Sequence, residues 1–209
     1  MVEQIESHAL DCAGYTGIAK FSPGVLQAML DVPRHEFVSE SNRSAAYLDS
    51  PLLIGYGQTI SQPFIVALMC EVLGLNKTDR VLEIGTGCGY HAAVLSRLCQ
   101  RVYTVEVVEE LALVATRNLA GYDNVQVFCQ NGIDGLRDFA PFDAISVAAA
   151  VDEIPASLRE QLAHGGRMII PVRDPLQMGQ TLVFLKKNED GSVTQKNILP
   201  VVFVPFVKG

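Results

Sequence analysis

The most constraining feature of the chain is Val81-Leu82-Glu83-Ile84, which runs without a break into Gly85-Thr86-Gly87-Cys88-Gly89 and then Tyr90-His91-Ala92-Ala93-Val94-Leu95. A β-rich run that passes through three glycines straight into an apolar helical segment predicts a tight strand-to-helix turn whose backbone a ligand can approach without meeting a Cβ. The same alternation continues downstream. Val102–Glu106, Val125–Phe128, Ala144–Val147 and Met168–Val172 read as strands, with helices over Tyr90–Leu98, Val108–Ala120 and Pro155–Leu162. Strands separated by helices predict a mostly parallel α/β sheet of Rossmann-like type. Thr181–Lys187 and Val193–Phe203 flank Asn188-Glu189-Asp190-Gly191, a polar, glycine-containing connection that predicts an antiparallel hairpin finishing the sheet.

Upstream of the first strand the pattern differs. Ser22-Pro23 followed by Val25, Leu26, Met29 and Leu30 predicts a helix with proline at its first position, and Pro63 through Leu73 predicts another. Val32-Pro33-Arg34 breaks the first of them. Residues 1–77 therefore read as a helical, loop-rich lobe and 78–209 as the sheet domain, with one core shared between them; 209 residues that are 49% hydrophobic are enough for that and little more.

Two carboxylates narrow what the glycine turn can hold. Glu83 precedes it, and Glu106 closes the next strand, where an acid can accept ribose hydroxyls. Dinucleotide sites use GxGxxG and set a helix N-terminus against a pyrophosphate, whereas this turn is GxGxG with an acid before it. That arrangement suits an ammonium and a sulfonium, so S-adenosylmethionine is the expected cofactor and the sheet is that of a methyltransferase. Glu83, Gly85, Thr86, Gly87, Gly89 and Glu106 are its candidate binding residues.

Composition limits the partners. Sixteen Lys and Arg against 23 Asp and Glu leave a net charge of −7, which opposes the counterion release that drives nucleic-acid binding. Its apolar stretches fall well short of the roughly 20 residues of a membrane span, and Met1-Val2-Glu3-Gln4-Ile5-Glu6 is acidic where a secretory signal is basic. No membrane association and a cytoplasmic location are expected. Cys12, Cys70, Cys88, Cys99 and Cys129 include no CxxC pair and no histidine at zinc spacing, so reduced thiols and no metal are expected.

At this point the chain resembles the protein-L-isoaspartate O-methyltransferases. The resemblance rests on Val32-Pro33-Arg34-His35-Glu36-Phe37-Val38, on the tract from Ala46 to Gly55, and above all on Gly57-Gln58-Thr59-Ile60-Ser61-Gln62-Pro63. It continues through Val81–Tyr90, Gln161-Leu162 with Gly165-Gly166-Arg167, and Phe203-Val204-Pro205-Phe206. A glycine turn suits any methyltransferase of this fold; the segment ending in Pro63 is far more specific. The resemblance implies an S-adenosylmethionine-dependent protein carboxyl O-methyltransferase that repairs isoaspartyl residues in peptides and proteins, a monomer being expected. It makes Ser61 the active-site serine and puts Thr59, Ile60 and Gln62 on the cofactor or substrate pocket. Gln130-Asn131-Gly132 stands where the family carries Gly-Asp-Gly against the adenine, so Asn131 would accept the adenine amino group through its carbonyl oxygen. Ala148 and Val207 replace hydroxyl residues common in the family.

Methyl transfer from a sulfonium to a carboxylate joins an ionised nucleophile to an activated carbon, so positioning and water exclusion matter more than a general base. Ser61 fits as a hydrogen-bond donor orienting the acceptor, and His35 and His91 read as structural polar groups. An isomerised aspartate in varied peptides must be held through backbone and carboxylate, and the resemblance implies Val201–Val207 as one wall. Two alternatives stay open on residues alone: a methyltransferase of another acceptor, and a cofactor-binding relative without turnover.

Overall fold

The computed structural model describes residues 1–174 and 179–207. Helix α1 (Val2–Thr16) stops at Gly17, which takes the left-handed conformation at φ 76° and returns its N–H to Ala13 O. Helix α2 (Pro23–Asp31) starts at the expected proline. Short 3-10 segments at Arg34–Phe37 and Glu40–Ala45 lead to strand β1 (Leu52–Gly55), paired antiparallel with β2 (Gln58–Ile60). Neither α1 nor this hairpin was expected from the pattern. On α1 the apolar residues do not share one face, since Ile5 and Ala9 are buried while Leu10 and Tyr15 are exposed. Helix α3 (Pro63–Leu73) has the expected bounds, is buried around nearly its whole circumference, and ends at Gly74.

The main sheet follows: β3 (Arg80–Ile84), α4 (Tyr90–Ser96), β4 (Arg101–Glu106), α5 (Glu109–Asn118), β5 (Val125–Cys129), β6 (Phe142–Val147), α6 (Ala156–Glu160), β7 (Leu162–Asp174), β8 (Gly179–Lys187) and β9 (Val193–Val201). Among the described residues its order is β5-β4-β3-β6-β7-β8-β9, parallel from β5 through β7 and antiparallel from β7 to β9. The mostly parallel α/β sheet with an antiparallel C-terminal hairpin is thus the observed architecture. Several element ends differ from expectation, α4 stopping at Ser96 instead of Leu98 and α5 at Asn118 instead of Ala120, and two of the differences shape the sheet. The helix expected to reach Leu162 ends at Glu160, and β7 begins at Leu162 because Gly165-Gly166 absorbs a register shift against β6; a Cβ on Gly166 would lie 2.7 Å from Ala163 O. Strand β9 stops at Val201, ahead of the expected Phe203.

Both sheet faces are covered. On one, Val81, Val102, Ala144 and Ile169 pack with α1 through α5, so residues before and after position 77 share a core. On the other, Leu82, Ile84, Ile145 and Met168 pack with Leu136 and Leu158. Chain order reverses at β3, whose neighbours are β4 and β6. The crevice beyond the carboxyl ends of such strands is where open α/β sheets bind ligands.

Candidate active site

The glycine turn lies in that crevice. Gly85, Gly87 and Gly89 all have φ between 55° and 93°, a region side chains avoid. A Cβ at Gly89 would also stand 2.9 Å from Leu119 Cδ1, so this glycine lets α4 and the end of α5 close on each other. Glu106, at the tip of β4, accepts the Gly87 N–H at 2.8 Å through Oε2 and the Val107 and Val108 N–H groups at 3.0 Å through Oε1. Three amides therefore fix the carboxylate on the wall of a cavity of about 590 Å³, within the range of small-molecule sites.

Glu83 is elsewhere. Strand alternation turns its side chain to the face covered by α3 and α4, and it does not line the cavity. Its Oε2 accepts from Thr104 Oγ1 at 2.5 Å, and Thr104 in turn contacts Thr86 Oγ1 at 2.6 Å. Its Oε1 lies 3.4 Å from His91 Nδ1 and has no hydrogen bond to the described residues. Burial pushes the carboxyl up to about 8 and the imidazole down to about 4, so near neutral pH both are uncharged. Although the distance is that of an ion pair, the two groups meet as neutral polar neighbours. Glu83 thus supports the turn from behind, and the expected charge beside a cofactor ammonium is not on the cavity wall.

A second wall of the cavity is built by the N-terminal segment. Thr59 and Ile60 end β2, Ser61 and Gln62 follow, and all four line the cavity together with Gly85, Thr86, Gly87, Glu106 and Gly132. Gly89 and Asn131 do not. Asn131 Oδ1 accepts the Ile133 N–H at 3.1 Å, capping a 3-10 turn, and keeps a second lone pair. Gly132 is required beside it because a Cβ there would sit 2.4 Å from Ile84 Cγ2. Ala148 and Val207 do line the cavity, so their missing hydroxyls leave that wall apolar.

Neither Ser61 nor Gln62 caps α3. The start of that helix is capped by Asp49, whose Oδ1 accepts the Phe64 N–H at 2.8 Å, and Gln62 donates to Asp49 Oδ2 at 3.0 Å. The Ser61 hydroxyl consequently makes no hydrogen bond to the described residues and stays half-buried on the cavity wall. Ile54 of β1 reaches over the turn to within 3.1 Å of where a Gly87 Cβ would stand, which ties the hairpin to the cofactor loop.

The segment after β9 forms the remaining wall. Gln180 clasps Phe203, accepting its N–H at 2.6 Å and donating to its C=O at 3.0 Å. Ala150 takes Phe206 N–H and gives its own N–H to Val204 O, both at 2.9 Å. Sequence reasoning missed Gln180, Asp49 and the α1 residues His8 and Cys12, which also line the cavity. Asp49 stood within a recognised tract but carried no assigned role; His8 had no local signal at all. His35 bonds Tyr47 Oη at 2.6 Å at the surface, away from the cavity.

A switch-point crevice with a glycine turn, an amide-fixed acid at the next strand tip and an apolar cavity defines a nucleoside-cofactor methyltransferase of the Rossmann-like class. The model of the protein-L-isoaspartate (D-aspartate) O-methyltransferase family matches residues 11–209, and the chain belongs to that family. It is 47% identical over 208 residues to a protein-L-isoaspartate O-methyltransferase of Polaromonas sp., covering 99% of this chain and 98% of the relative. A solved protein-L-isoaspartate O-methyltransferase superposes with a TM-score of 0.83 at 35% identity over 98% of this chain and 65% of that longer one. A Plasmodium falciparum structure assigned the same activity, in complex with S-adenosyl-L-homocysteine, shares the fold at a TM-score of 0.81 and 24% identity, over 99% of this chain and 98% of that one.

The cofactor is S-adenosylmethionine. The residues present fit it: the turn offers backbone free of Cβ atoms, and Glu106 has both oxygens held at the wall with acceptor capacity left on Oε2.

Proposed function

We propose that this chain transfers the methyl group of S-adenosylmethionine to the carboxylate of isoaspartyl residues in peptides and proteins, initiating their repair. The observation that carries the reading is the half-buried Ser61 hydroxyl, without a hydrogen bond to the described residues, on the wall that also holds Gly85, Thr86 and Glu106. When bound, the cofactor supplies an activated methyl group. Glu106 positions its ribose, the turn from Gly85 to Gly89 receives its methionyl part, and Gly132 gives room to the base. Ser61 donates to one carboxylate oxygen of the acceptor and aims the other, while Ile60 and Phe206 exclude water.

Within this reading residues 1–77 form the lobe that carries Ser61, built on the core of residues 78–209. The protein acts as a monomer on polypeptides, its charge of −7 disfavouring nucleic acid. No helix of the described residues is long and apolar enough to cross a membrane. Five free cysteines suit the reducing cytoplasm, where we place it.

The test is methyl incorporation from labelled S-adenosylmethionine into two peptides that differ only in carrying aspartate or isoaspartate. Labelling confined to the isoaspartyl peptide is expected. Equal labelling of the two would make the chain a methyltransferase of another acceptor.

A further inference from the structure

We propose that His8 is a second acceptor-binding residue, which as an imidazolium donates its Nε2–H to the carboxyl-bearing peptide that Ser61 receives. The inference rests on the acceptor reading above and adds to it a group from α1, ahead of the segment that the family model matches.

The ring is held as a functional histidine is held. It lies flat on Phe64, with centroids 4.1 Å apart and planes at 14°. Its Nδ1 is 2.9 Å from Asp49 Oδ2, which Gln62 Nε2 also approaches at 3.0 Å. Because a carboxylate oxygen accepts, Nδ1 carries a proton, and a carboxylate on one nitrogen fixes both tautomer and ring orientation. Nε2 then has no partner among the described residues, and the side chain, 38% exposed, lines the cavity. Gln62 Nε2 lies 3.2 Å from Nδ1 because both donate to the same Asp49 oxygen, and Gln62 is the neighbour of Ser61 in the chain.

Charge makes the case specific. An acceptor carboxylate brings a negative charge into a cavity whose described lining has no lysine or arginine. Of its ionisable groups, Glu106 repels an anion, His91 is kept neutral by burial, and Cys12, Cys88 and Tyr90 carry no positive form. Among the described lining side chains, His8 is the one that can meet the anion with a cation.

The experiment compares wild type with His8→Phe, which keeps the stack on Phe64, and His8→Gln, which keeps a donor. KM and kcat are measured with an isoaspartyl peptide, and S-adenosyl-L-homocysteine affinity by calorimetry. The expected result is a rise in KM of about tenfold in His8→Phe, the scale of a lost hydrogen bond to a charged group, partly restored in His8→Gln, with cofactor-product affinity unchanged in both. An unchanged KM overturns the proposal. So does a joint loss of KM and S-adenosyl-L-homocysteine affinity, which would reduce the ring to a prop for Asp49 and Gln62. If wild type labels aspartyl and isoaspartyl peptides alike, the isoaspartyl reading falls while the KM shift still scores His8; labelling of neither overturns both.

Discussion

Glu106 Oε2 accepts the Gly87 amide at 2.8 Å, so the tip of β4 is bonded to the middle of the glycine turn. Glu106, which in the proposed reading meets the cofactor, thereby also sets the shape of the glycine turn. Glu106→Gln keeps an acceptor for one amide but removes the charge on the others. S-adenosyl-L-homocysteine affinity measured by calorimetry should weaken at least tenfold, since charged hydrogen bonds contribute about 1.5–3 kcal/mol. An unchanged dissociation constant would remove Glu106 from the binding set.

The Ser61 hydroxyl, free of hydrogen bonds to the described residues, should matter for turnover and little for folding. Ser61→Ala is expected to lower kcat/KM for an isoaspartyl peptide by about tenfold or more, with the melting temperature and S-adenosyl-L-homocysteine affinity of wild type. Full activity in the variant would show that the acceptor is oriented by other groups.

The Glu83–His91 pair makes stability depend on pH in a particular direction. Folding raises Glu83 from 4.5 to about 8, so the native state keeps a proton that the unfolded chain releases. It lowers His91 from 6.5 to about 4, so between those values the unfolded chain holds a proton the native state lacks. From about pH 4.5 to 6.5 the two contributions oppose each other. Between about 6.5 and 8 only Glu83 counts, and stability should fall as pH rises, by up to about 1.4 kcal/mol per pH unit from this group. Urea unfolding at pH 6.5, 7.25 and 8 reads the slope, and Glu83→Gln should flatten it. Parallel slopes in wild type and variant would contradict a protonated Glu83.

Gly89 should tolerate no side chain. With φ at 93° and a Cβ 2.9 Å from Leu119 Cδ1, Gly89→Ala combines backbone strain with a clash at the α4–α5 contact. A loss of about 1–3 kcal/mol is expected, a drop of several degrees in melting temperature for a chain of this size. Leu119→Ala in the same background should recover part of it by opening space for the methyl group. No recovery would assign the whole cost to the backbone.

Gln180 holds the peptide-side wall through both backbone groups of Phe203. Gln180→Leu leaves those groups unpaired and should loosen residues 202–206, raising KM for the acceptor several-fold at nearly constant S-adenosyl-L-homocysteine affinity. Hydrogen exchange at the Phe203 amide is the direct readout. Exchange as slow as in wild type would place the hold on that segment with Ala150 alone.

Much of the fold was legible along the chain because its determinants are local. Pro63 opens α3 and Gly74 closes it within one helix, and the β3-to-α4 turn needs glycine for reasons confined to its own φ angles. The hairpin of β1 and β2 stayed hidden because Gly55-Tyr56-Gly57 joins two strands of three and four residues, too short for alternation to register. The family was legible because the glycine turn and the tract through Ser61 are each a contiguous motif.

What only the tertiary structure decided is where side chains from distant segments meet. Strand β3 is buried on both faces, so nothing in its pattern says that Glu83 points away from the cavity toward His91. Asp49 capping α3, Gln180 clasping Phe203 and His8 reaching Asp49 join residues 15, 23 and 41 positions apart. Such bonds leave no periodicity behind them: a hydrogen bond constrains two atoms in space, and the chain between them can carry any sequence that folds to bring them there.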